Sequence, residues 1–226
     1  MTATLKSQSA PISKVVATPA TETITSVEAL STIAPYRFTV EAYRRAYAIG
    51  FFEESFRTEL IHGTIYPISP ISSPHAATVD ILVYEWTTLS SKRWWVRGQG
   101  PLDLTDLHSV PQPDVLICDW RDDRYANASP RVDEITLIVE VALSSLPYDR
   151  TIKKAIYQEA GIPEYWIVNL KDRQFECFTE PKGEVGYRTK KIYVEGDTFS
   201  HELLGEIVVS DLLPMPQTET PTTPPA

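Results

Sequence analysis

Residues 135–170 read ITLIVEVALSSLPYDRTIKKAIYQEAGIPEYWIVNL, and this stretch decides the fold. Its first part, within a strand predicted at Glu134 to Val141, is almost wholly apolar, so the strand belongs at the centre of a sheet with both faces covered. A polar loop, LSSLPYDR, follows. From about Tyr148 to Ala160 the spacing predicts a helix, with Ile152, Ala155, Ile156 and Ala160 facing the sheet and Gly161 ending it. A further strand is predicted at once, Glu164 to Leu170.

Upstream, the signals are those of turns and caps. Thr39 caps a short helix running through Ala48, with Gly50 beyond its end. RTELIHGTIYPISP alternates about His62-Gly63 and predicts a hairpin with strands at about 57–61 and 64–68, because glycine accepts the positive φ of a tight turn. Ser72 or Ser73 before Pro74 starts a helix that continues through Ala77, Ile81 and Tyr84 to about Ser91. Strands follow at Trp94 to Gln99 and Gln112 to Cys118. Downstream of Leu170, strands are predicted near 174–179, 186–194 and 207–209. From Pro74 to Leu170 the order is therefore α, β, β, β, α, β. The fold class expected is α/β with a mixed central sheet, an N-terminal helix and hairpin, and extra C-terminal strands.

The ends differ in composition. Residues 1–33 are rich in Ser, Thr, Ala and Pro, and 214–226 (PMPQTETPTTPPA) in Pro and Thr, so both are expected to be disordered tails around a single domain at 34–213. No apolar stretch approaches the ~20 residues that cross a bilayer, and the N-terminus lacks the pattern of a secretory signal. Cys118 and Cys177 are the only cysteines and are far apart, which excludes a disulfide framework and a thiolate zinc site built from this chain alone. A cytoplasmic location is expected. The formal charge is −9. Lys6 and Lys14 balance Glu22 and Glu28, and only Glu219 lies in the C-terminal tail, so −8 rests on the core. A broad basic nucleic-acid surface is thereby excluded; a polyanionic substrate has to be met by a local basic group or a bound metal.

Two carboxylates stand out. Asp114 precedes the apolar VLIC, and Glu140 sits near the end of ITLIVEV; a buried charge is expensive unless it is paired or holds a metal. Asp149, Lys153 and Tyr157 recur at i, i+4 and i+8 on one helical face, which leaves two readings of Lys153: a group reaching toward Glu140, or half of an ordinary Asp149–Lys153 ion pair on a solvated helix. His62, His108 and His201 are isolated and expected to face solvent. Trp94, Trp95 and Trp166 are expected in the core or an interface. Ser72, Ser73 and His75 do not by adjacency make a catalytic triad; Ser-Pro at a helix start is ordinary capping.

Taken together, RTELIHGTIYPISPISSPH, PQPDV at 111–115, LIVEVALSS at 137–145, DRTIKKAIY at 149–157 and AGIPEYWIV at 160–168 resemble the Uma-type restriction endonuclease family of the PD-(D/E)XK nuclease superfamily. The resemblance covers about residues 36–213 and implies an αβββαβ core, which agrees with the order read above. It also implies that Asp114 is the Asp of the PD motif and Glu140 the acidic residue of the second motif. Where that motif has Lys, this chain has Ala142, and the family's lysine matches Lys153 on the next helix, with Lys154 pointing outward. Glu59 matches a further family carboxylate, and His75 and Tyr157 match recurrent positions.

The activity implied is phosphodiester hydrolysis, of DNA, by an Mg²⁺- or Mn²⁺-dependent endonuclease. Asp114, Glu140, the carbonyl of Val141 and Glu59 are the implied metal ligands, and Lys153 orients water or neutralises phosphate charge. A homodimer is expected, as is common when both strands are cut. Two readings compete: a nuclease scaffold that binds without turnover, and acid–base chemistry on a sugar by the carboxylate pair. The first geometry to check is that Asp114 and Glu140 lie on adjacent strands, close enough to share a cation. Replacing Lys153 by Met is expected to leave stability little changed while activity collapses.

Overall fold

A computed structural model describes residues 35–53, 56–182 and 186–216. Helix α1 (Val40–Ala48) begins where Thr39 Oγ1 accepts the Ala42 N–H, and Gly50 follows at φ +68°. Strands β1 (Thr58–Ile61) and β2 (Thr64–Pro67) form the hairpin. Both turn residues have positive φ, His62 at 47° and Gly63 at 72°, as a two-residue type I′ turn requires. A side chain at position 63 is doubly excluded, since a Cβ there would lie 2.8 Å from that of Arg37.

Helix α2 (Ser73–Ser90) starts at Pro74; Ser72 makes no side-chain cap bond, so proline geometry rather than a serine cap sets the start. Then come β3 (Trp94–Gly98), β4 (Val115–Asp119) and β5 (Ile135–Ala142). After β5 the chain runs through one helical segment, α3 (residues 146–159), whose middle, Asp149–Lys153, is a π-helical turn. Strands β6 (Glu164–Asn169), β7 (Gln174–Lys182), β8 (Gly186–Val194), β9 (Thr198–His201) and β10 (Gly205–Val208) complete the fold. The strand at 198–201 was not expected from sequence: Phe199 is its only large apolar residue, too few for an alternating pattern.

Six strands form one mixed sheet in the order β3-β4-β5-β6-β7-β8, in which only the β5–β6 pair is parallel. That pair is the one joined across α3. Strand β5 is covered on both faces, as its composition dictates. Leu137, Val139 and Val141 pack with Leu82 and Trp86 of α2, while Ile138 and Ala142 pack with Ile156 and Tyr157 of α3. Glu140 belongs by alternation to the α3 face. The β9–β10 hairpin covers the α2 face through Phe199 and Ile207.

Three expectations are corrected. The buried face of α3 is Asp149, Lys153, Ile156 and Tyr157, with Ala155 exposed and Ile152 half-buried. The π turn holds one residue more than an α turn, so it rotates the face away from the regular 3.6-residue spacing. Asp114 lies just before β4 rather than inside a strand starting at 112; Pro111 and Pro113 have no N–H to give a ladder. His201 does not face solvent: its side chain is 11% exposed, hydrogen-bonded to Glu164, with its ring against Trp166. His62 and His108 are exposed, and Trp94 and Trp166 are buried. The predicted tails lie outside the described residues except Pro214, Met215 and Pro216. None of the described helices is long and apolar enough to cross a membrane.

Candidate active site

Five elements deliver side chains to one cleft of about 390 Å³, lined by Glu59, His75, Asp114, Glu140 of β5, Asp149 and Lys153 among others. The β1–β2 hairpin brings Glu59, held in place where Leu60 and Val110 exchange backbone hydrogen bonds. The segment before β4 brings Asp114. Continuing the β4–β5 register from Val115↔Val139 by one pair sets Asp114 opposite Glu140. The first turn of α2 brings His75, and the π turn of α3 brings Lys153.

Lys153 is at the bottom. Its Nζ lies 2.7 Å from Glu59 Oε2 and 3.0 Å from Glu140 Oε1, and donates to the Gln112 carbonyl at 3.2 Å. An ammonium has three protons, so all three are taken. The Tyr157 hydroxyl donates to the same Glu140 oxygen at 2.7 Å. Asp114 Oδ2 accepts the Val141 N–H at 2.9 Å and meets His75 Nε2 at 3.0 Å. Gln99 Nε2 donates to the other oxygen at 3.4 Å. Asp149 does not pair with Lys153; it accepts from Ser145 Oγ at 2.6 Å. Lys154, expected to point outward, lies over the Phe178 ring, and Arg150 grips Glu176 of β7.

Burial and charge act against each other here. Burial lifts the Glu140 carboxyl well above its usual range; Lys153 opposes this, and Asp114, Asp149 and Glu59 add to it. Burial likewise raises Asp149, to about 6, despite the Ser145 hydrogen bond. For Lys153 burial pulls the pKa down, but Glu140 and Glu59 outweigh it, so the ammonium keeps its proton. Asp114 is held below its ordinary value because His75, the Val141 N–H and Lys153 overcome its burial. His75 is raised in turn: its burial is outweighed by the hydrogen bond and charge of Asp114. Its Nδ1 is buried with no hydrogen-bond partner among the described residues. The site thus carries four carboxylates against one ammonium, one histidine and the Arg57 guanidinium.

Sequence reasoning missed Gln112. Its N–H donates to Glu59 at 3.0 Å, its carbonyl accepts from Lys153, its Nε2 donates to the Thr58 carbonyl at 2.8 Å and its Oε1 accepts from Arg57 at 3.2 Å. The available signal was its position between Pro111 and Pro113, which makes its N–H the only backbone donor in that run.

The six side-chain candidates, Glu59, His75, Asp114, Glu140, Lys153 and Tyr157, therefore lie in one neighbourhood, where Val141, the seventh, joins Asp114 to the strand that carries Glu140. A family model, Uma2, described as "Putative restriction endonuclease", matches residues 40–214. The chain belongs to the Uma2 family. The Uma2 match spans every element from α1 to β10 and all six residues. No curated protein matches the chain. Among solved structures, it is similar to that of "a putative nuclease belonging to DUF820" from Anabaena variabilis ATCC 29413. That likeness has a TM-score of 0.58 and 12% identity, covering 77% of this chain and 97% of that chain, and it bears on the fold alone.

Proposed function

We propose that this protein is a divalent-metal-dependent nuclease that hydrolyses phosphodiester bonds, with DNA as the expected substrate. The observation that carries the reading is Lys153, an ammonium 4% exposed and paired with both Glu59 and Glu140. A helix needs no such group for packing. Replacing a buried ion pair by apolar residues is often neutral or stabilising, so the cluster is better explained by chemistry than by stability.

The donor set fits Mg²⁺ or Mn²⁺. Asp114, Glu140 and the Val141 carbonyl offer hard oxygens, and the negative charge of Asp114, Asp149 and Glu59, which adds to the effect of burial on Glu140, is what a divalent ion would offset. Among the described residues no three His, Cys, Asp or Glu side chains form a group able to hold a metal. Mg²⁺ is usually held by one or two carboxylates plus water and substrate phosphate rather than by an all-protein cage. Glu59, expected as a further ligand, is instead engaged by Lys153 and Gln112. When bound, the ion lowers the pKa of a water and offsets charge on the phosphate.

The remaining work falls to the protein. His75 and the Val141 N–H fix the rotamer of Asp114. Gln112 fixes Glu59, and Tyr157 fixes Glu140. Lys153 gives up one of its three acceptors to meet the attacking water or the phosphate oxygen, where a positioned charge in a water-poor site acts strongly. A two-fold dimer is part of the proposal. The test is incubation with DNA and RNA substrates with Mn²⁺ or with chelator. Metal-dependent strand scission supports the reading. Binding without scission under every divalent ion would favour the alternative, a nuclease scaffold that binds without turnover, which the full occupation of Lys153 favours.

A further inference from the structure

Resting on the nuclease reading, we infer that the site acts on an unpaired polynucleotide strand and not on an intact duplex. The first argument is depth. The side chains of Glu59, Lys153 and Glu140 are 3%, 4% and 5% exposed, while Asp114 and His75, nearer the mouth, reach 15% and 16%. The reacting phosphate has to travel to the bottom of a cleft of about 390 Å³. That volume suits one small ligand or nucleotide unit. A duplex presents its phosphates on a wide convex surface, with grooves about 6 and 12 Å across and the complementary strand fixed behind. It meets the rim before its phosphate meets Lys153. A single strand has no such partner and can thread its backbone inward.

The second argument is charge. Duplex DNA carries one negative charge per about 1.7 Å of axis, and duplex binders neutralise many phosphates with Lys and Arg. Here the whole chain is at −9 and the cleft wall offers three basic side chains, Arg57, His75 and Lys153, the last two already paired with carboxylates. The third is the wall itself. Tyr66 and Tyr148 place their rings 5.4 Å apart at the cleft, and Ile71 and Leu143 line it while remaining 43% and 42% exposed. Aromatic and apolar side chains beside a phosphate-cleaving site hold unstacked bases, a contact that needs no added positive charge and is open only to bases that are not paired.

The test uses the full chain with Mn²⁺ and one fluorescent oligonucleotide sequence as a DNA strand, an RNA strand, a duplex, and a duplex with a central unpaired loop. A DNA or RNA strand is expected to be cut at least about tenfold faster in kcat/KM than the duplex, the magnitude of stacking one or more bases. Cuts in the looped duplex should fall in the loop. The log–log salt dependence of strand binding should have a slope of about −0.7 to −1.4, reflecting one or two phosphate contacts. Replacing exposed Ile71 and Leu143 together by Ser should raise KM for the strand several-fold while kcat holds. A duplex cut as fast as the strand, with the reaction still metal-dependent, overturns the inference and leaves the nuclease reading standing. Cleavage of none of the four substrates sinks both.

Discussion

Lys153 shows what a single residue can and cannot reveal from sequence. Its spacing to Asp149 and Tyr157 was legible, but its burial was not, because its closest partner, Glu59, is 94 positions away in the chain. The burial changes the expected effect of Lys153→Met. The sequence alone led us to expect little loss of stability; two buried carboxylates stripped of their cation imply about 3–5 kcal/mol instead. Urea unfolding should show this, alongside activity lowered by about two orders of magnitude or more. Lys154→Met removes only a cation–π contact worth about 0.5–1 kcal/mol and should leave chemistry unchanged. If Lys154→Met is the one that abolishes cleavage, the assignment fails.

Asp149 gives a residue-scale pH prediction. Its folded pKa of about 6 lies above its ordinary 3.8. The folded state therefore holds the proton more tightly, and this stabilisation is complete below about pH 4 and lost as pH rises through about 6. Asp149→Asn should remove that slope and be more stable than the native protein above pH 6 by up to ~3 kcal/mol. Melting curves between pH 4 and 7 decide it. Parallel profiles for the two proteins would contradict the account.

At the scale of elements, α3 is tied to the sheet at two places one turn apart. Arg150 grips Glu176 on β7, and Lys153 reaches Glu140 on β5. In the register Glu140, Ile167 and Glu176 are neighbours across three strands, so both ties fall on one row. The π turn, Asp149–Lys153, contains both Arg150 and Lys153. It could not be read from residues 149–153, since local spacing encodes a regular helix and the extra residue is drawn in by tertiary partners. Strand β5, by contrast, was readable because an apolar run bounded by polar loops has few other homes.

Glu176 has no side-chain exposure; burial would raise its pKa, but Arg150 and Lys190 bring it to about 2. Its stabilising contribution is present above the ordinary carboxylate value of 4.5 and is lost as pH falls toward 2. Glu176→Gln should flatten that acid limb of the stability curve and lower stability at neutral pH. An acid limb as steep as that of the native protein would show that the tie between α3 and β7 is not electrostatic.

For the whole molecule, the αβββαβ order was legible because each element carries its own period or punctuation. What was hidden was the contribution of parts that come together late: the hairpin's docking on Val110, the four-way use of Gln112, and β9. The acidic charge, first an objection to a nuclease, is met by concentrating the few cations of the site in one narrow cleft. The proposed two-fold dimer is checked by light scattering at micromolar concentration, where the mass should be twice that of the 25.4 kDa chain. A monomer mass would remove the dimer from the proposal.

The central claim is that the Glu59, Asp114, Glu140 and Lys153 neighbourhood hydrolyses nucleic acid with a divalent ion. Glu140→Gln tests it most directly, because the amide keeps the shape and an acceptor for Tyr157 while removing the charge. We expect wild-type protein to cut a labelled strand with Mn²⁺ and to stop with chelator. The variant, folded by circular dichroism, should be slower by about a thousandfold. Undiminished Mn²⁺-dependent cleavage by Glu140→Gln would contradict the account.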